Sequence, residues 1–171
     1  MSIALEAMSP YARSLVDRLS LEPHPEGGWY RRDWQSPLPE PSTSRPLASL
    51  IYFLLPEGDA SAWHKVDADE IWLWHGPAPV TLEFGGDGDS PSDDPAVRRT
   101  IVLGRGIADD GRPHTDGSTG DIDVAADASV DAVGHAVVPA GVWQRTVPGR
   151  GDALVSCVVS PGFTFEGFTL E

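Results

Sequence analysis

The hydrophobic positions of this chain come in short bursts between turn-forming residues, and most of the bursts have the texture of strands. Ala48 to Leu55 is almost continuously apolar, which predicts a strand buried on both faces. Residues 62–65, 70–75 and 79–84 predict three more strands, and Val97 to Leu103 another. Strand texture returns at 134–138, 142–147 and 153–160, with Pro-Gly turns at Pro139–Gly141 and Pro148–Asp152 between them. Aromatic alternation after Gly27-Gly28 reads as a strand through Trp29 to Trp34. One segment differs. Residues 9–20 carry Leu15, Val16 and Leu19 at helical spacing, with Ser9 as cap, Pro10 at the first helical position and Pro23 and Pro25 beyond the end. Many short strands separated by regular turn signals predict an all-β antiparallel barrel or sandwich with a short N-terminal helix.

Three stretches break the pattern. Residues 36–46 are rich in Pro and Ser and read as a surface loop. Residues 85–96 read as an acidic loop too polar to pack, and residues 104–130 as a long, mobile acidic insertion with few large apolar side chains. No heptads, internal repeats or βαβ alternation appear.

Length and charge narrow the picture further. At 171 residues the chain suits one domain, 1–171. Its 18 Gly and 16 Pro leave little room for long helices. A formal net charge of −14 argues against nucleic acid and anionic membranes as partners. No run approaches the roughly 20 apolar residues that cross a bilayer, and Met1 to Glu6 lacks the features of a signal peptide. The one cysteine, Cys157, excludes an internal disulfide and fits a reducing compartment, so a cytoplasmic location is expected.

The strongest chemical constellation is His64, Glu70 and His75 among Trp63, Trp72, Trp74 and, upstream, Trp29. Side chains alternate along a strand, so Glu70, Trp72 and Trp74 share one face while Ile71, Leu73 and His75 share the other. His75 therefore leaves Glu70's pocket unless a bulge near Gly76 changes its direction. A histidine and a carboxylate in an apolar pocket can transfer a proton or ligate a divalent metal; the plainer alternative is that both satisfy local hydrogen bonds in the barrel. The second group is Pro23 to Arg31, where the glycine pair permits close backbone approach to a ligand and Arg31 is placed to clamp an anion. Phosphate-binding glycine loops, HExxH, CxxC and GxSxG are all missing, and Cys157 reads as a buried structural thiol.

Four blocks then carry a resemblance: Pro23 to Gly28; Ile51 to Leu55 with Trp63-His64 and Asp69 to Trp72; Val138 to Gln144; and Val159 to Phe163. Together they resemble a small cupin family of unassigned function, across nearly the whole chain except the acidic loops. The resemblance implies a double-stranded β-helix (jelly-roll) barrel, similar in fold to sugar epimerases, and a homodimer. Of the usual cupin ligands, His64 matches the first His and Glu70 the Glu. Val66 stands where the second His would be, and Gln144 where the late His would be. That depletes a typical metal site, and leaves His64, Glu70 and Gln144 as the alternative metal set.

These readings converge on a small-molecule-binding cupin, with no cofactor predicted. The enzymatic version is a metal-independent isomerase or epimerase acting on a small polar or sugar-like metabolite. His64 and Glu70 would be catalytic; Glu26, Arg31, Tyr52, Trp72, His75 and Gln144 would bind the ligand. The alternatives are a non-catalytic binder, a structural barrel, and a divalent-metal enzyme with the depleted set.

Overall fold

Ser9 opens the helix α1 (Pro10–Leu19) in extended backbone and accepts the Ala12 N–H at 3.0 Å. The helix stops at Ser20, which takes a left-handed conformation. Its buried Ala12, Leu15 and Val16 pack on Leu54, with Trp29 at the margin. The computed structural model describes residues 2–106 and 132–171. Nearly all of the expected acidic insertion at 104–130 lies outside those residues. No helix among them is long and apolar enough to cross a membrane.

The strands are β1 (Glu22–Pro23), β2 (Trp29–Gln35), β3 (Ser49–Leu55), β4 (His64–Val66), β5 (Asp69–Pro77), β6 (Val80–Phe84), β7 (Arg99–Leu103), β8 (His135–Val138), β9 (Gln144–Thr146), β10 (Ala153–Ser160) and β11 (Phe168–Leu170). They form two antiparallel sheets, ordered β1-β2-β3-β10-β5-β8 and β11-β4-β9-β6-β7. Phe53, Trp72 and Val155 of the first sheet meet Leu82, Phe84 and Leu103 of the second to form the core. This is the all-β barrel with one short helix that the alternation predicts.

Register decides which side chains face inward. Arg32, Ile51, Cys157, Trp72 and Ala136 lie in one row across β2, β3, β10, β5 and β8. The neighbouring row of Trp34, Leu50, Val158, Ile71 and Val137 points the other way, outside the barrel. Trp29 also lies outside, under α1. Trp63 carries the guanidinium groups of Arg98 and Arg145 over its ring, 4.7 and 4.8 Å from the centroid, and Trp74 sits in the core with its indole N–H on the Ala78 carbonyl. Of the four tryptophans gathered by sequence, Trp72 is the one at the inner cavity.

The loop 85–96 departs from expectation. It packs, through its backbone rather than its side chains: Gly85 N–H donates to the Trp143 carbonyl, Trp143 N–H to Gly86, and the Trp143 indole to Gly88. Polar side chains predict solvent exposure but are silent about backbone acceptors.

Candidate functional site

The inner face of the six-stranded sheet, the turn before β2, strand β4 and the C-terminal segment enclose a cavity of about 500 Å³. That volume suits a small metabolite. Five buried polar residues border it: His24, Glu26, Ser49, His64 and Glu70.

The turn that delivers His24 and Glu26 depends on its glycines. Gly27 and Gly28 have φ of +111° and +68°, and a Cβ on Gly27 would lie 2.1 Å from the Ala60 carbonyl oxygen. The close approach lets the Glu26 carbonyl accept the Ala62 N–H at 2.7 Å, which ties the turn to the entry of β4. Glu26 Oε2 then lies between Nδ1 of His24 at 3.3 Å and Nε2 of His64 at 3.4 Å.

His64 stands opposite Gln144 in the β4–β9 pairing. Its Nδ1 is 2.9 Å from the Ala62 carbonyl. A carbonyl only accepts, so Nδ1 carries the hydrogen and Nε2 is turned toward Glu26.

Glu70 is held from behind. The Trp72 indole donates to Gln144 Oε1 at 2.9 Å, and Gln144 Nε2 donates to Glu70 Oε2 at 2.6 Å. An indole can only donate, so it fixes which way round the amide sits. Burial pushes the Glu70 carboxyl above its ordinary range; His64 and the Gln144 and Cys157 hydrogen bonds pull it back, while Glu26 adds to the rise. Burial, reinforced by Glu70 and Glu26, raises the Cys157 thiol well above the usual thiol range, which keeps it a neutral donor.

The structure brings His64, Glu70, Glu26 and Trp72 to one cavity. It corrects four other assignments. Arg31 pairs with Tyr52 on the outer face, and its guanidinium donates to the Leu19 carbonyl. Tyr52 points away from the cavity because Phe53, its neighbour, points in. His75 sits at a bulge beside Gly76, yet stays outside, 2.6 Å from Ser156 Oγ and against the Tyr52 ring. Gln144, 1% exposed, stands behind Glu70 rather than facing a ligand.

The alternative metal set does not fit either. Both ends of the Gln144 amide are engaged, and its one acceptor oxygen is taken by Trp72. Among the described residues no three His, Cys, Asp or Glu side chains converge as a metal site requires.

Sequence reasoning missed Arg32, Tyr30, His24 and the closing phenylalanines Phe163, Phe165 and Phe168, all of which line the cavity. Period two links Tyr30 to Arg32 and sets both against Arg31; the register after Gly28 was the missing fact. The phenylalanines carried no periodic signal, because they lie in a turn and in the three-residue β11.

Comparison with known proteins agrees with this architecture. A Shewanella oneidensis protein of known structure is 32% identical, with a TM-score of 0.69 over 94% of this chain and 84% of its own. A hypothetical protein from Leishmania major is 26% identical, with a TM-score of 0.69 over 94% and 86%. An uncharacterised conserved protein with a double-stranded β-helix domain from Klebsiella pneumoniae is 14% identical, with a TM-score of 0.50 over 91% and 92%, and shares the fold alone. No curated protein matches. The family model described as Cupin superfamily (DUF985) matches residues 13–171, and the chain belongs to that family.

Proposed function

We propose that this cupin takes a small polar metabolite into the cavity and moves a proton on it without a metal, as an isomerase or epimerase does. The observation that carries the reading is that His64 and Glu70 line one cavity. His64 offers Nε2 as a base, since Nδ1 is committed to Ala62. Glu70 is a buried carboxyl biased toward its protonated form.

The step suited to this pair is enolisation next to a carbonyl. His64 Nε2 takes the carbon-bound proton, the electron pair moves onto the carbonyl oxygen, and Glu70 protonates that oxygen. Glu26, 3.4 Å from Nε2, stabilises the imidazolium. Return of a proton to carbon from the other face, or to the neighbouring carbon, completes an epimerisation or isomerisation. A cytosolic setting belongs to the same proposal, in keeping with the buried free thiol of Cys157.

Deuterium uptake tests it. A metabolite captured from cell extract by its effect on melting temperature is incubated with the protein in D₂O and followed by NMR. Exchange at one carbon is expected, and His64→Ala should slow it by about 10²–10⁴-fold with folding retained. A captured metabolite that comes back unexchanged would favour the non-catalytic binder instead.

A further inference from the structure

The ionisable groups round the cavity are unequal in sign. Glu26 lies on its floor beside Glu70, whose burial favours the neutral acid, and Glu22 and Glu166 stand exposed at its rim. Arg32 is the one guanidinium among the described lining residues, and it already donates to the Phe163 carbonyl at 3.2 Å and to Gln35 at 3.3 Å. The other basic side chains, His24 and His64, both adjoin Glu26 Oε2.

Two further observations point to what the cavity takes. Glu26 is 6% exposed, and among the described residues only those two imidazole nitrogens approach its carboxylate, both at Oε2. Among the described residues no hydrogen-bond donor reaches Oε1, and since no buried side-chain oxygen there lacks a partner, Oε1 is open to the cavity, where a ligand can donate to it. At the mouth, Phe163 and Phe165 meet at 83° with centroids 5.2 Å apart, and Phe165 and Phe168 at 85° and 6.2 Å. Near-perpendicular rings form a corner. Aromatic faces are electron-rich and attract cations.

We infer that the metabolite carries a positive charge: a small polar molecule with an ammonium group, seated in the phenylalanine corner and donating toward Glu26, with Glu22 and Glu166 drawing it in. This rests on the reading of the cavity as a small-molecule site and names its ligand class. An anionic ligand would meet the carboxylates of Glu22, Glu26 and Glu166 and a guanidinium already engaged.

Glucosamine, glucose and glucuronate share one frame and differ in charge. Choline and 3,3-dimethylbutan-1-ol form a second matched pair without a ring. Calorimetric titration at pH 7 should show the cation of each set binding about tenfold or more tighter than its neutral or anionic partner, with the margin narrowing as salt is added. Glu22→Gln with Glu166→Gln, both at exposed positions, should weaken the cations several-fold and leave the melting temperature and the neutral probes unchanged. Neutral or anionic probes binding as tightly as the cations would overturn the inference and leave the small-molecule site standing. No binding by any of the five would overturn both.

Discussion

Burial holds the Glu70 carboxyl above the ordinary carboxylate range, with His64 and Gln144 opposing and Glu26 assisting. The folded protein therefore keeps a proton that the unfolded chain releases above its ordinary pKa of 4.5. Stability from this group is full below that value and falls as pH rises through the raised, folded one. Glu70→Gln keeps an oxygen for the Gln144 amide and removes the charge. It should melt above the wild type at pH 8, and the two curves should converge as pH falls toward the ordinary carboxyl range. Each 1 kcal/mol of difference reads as roughly 2–4 °C. Parallel melting curves across that range would show that Glu70 is ionised in the fold. That His64 and Glu70 border one cavity was anticipated from residue type and spacing. Their partners were not, because Gln144 and Cys157 arrive from strands more than seventy residues away in the chain.

At the scale of elements, the turns 24–28 and 139–141 place two different demands on glycine. Gly27 and Gly141 both have positive φ, +111° and +77°. An added Cβ at Gly27 collides with the Ala60 carbonyl, whereas nothing lies within 4 Å of one at Gly141. Gly141→Ala should carry only the backbone strain, about 1–2 kcal/mol. Gly27→Ala should cost more, by about 1–3 kcal/mol, and should weaken ligand binding by displacing Glu26. Urea denaturation of the two variants compares them, and equal losses would mean that the turn relaxes freely. The strands were legible because alternation survives in a sheet with one face on the core. Strand β11 was not, since three residues hold no period and it exists only as the partner of β4.

Across the whole molecule, the outer row of Trp34, Leu50, Val158, Ile71 and Val137 lies side by side on five strands. Trp34 is 48% exposed and Val137 52%. A contiguous apolar row on a sheet face is a candidate interface, and we propose it as the contact face if the chain forms the homodimer expected from the family resemblance. Sedimentation equilibrium should give a dimer for the wild type, and Val137→Glu should shift it to monomer with the circular dichroism unchanged. A wild-type monomer at micromolar concentration would remove the dimer from the account.

The sequence by itself determined the class of fold and the helix with its cap, and it picked out His64 and Glu70, which both line the cavity, because each rests on local chemistry or short-range period. Tertiary structure decided which residues meet. Arg32 faces the cavity instead of Arg31, and His75 stays outside despite the bulge beside it. A shift of one residue in register exchanges the two faces of a strand, and that register is set by turns and by partners distant in the chain. The same distance concealed the phenylalanine corner and the surplus of carboxyl groups, which exist only once the end of the chain closes over its beginning.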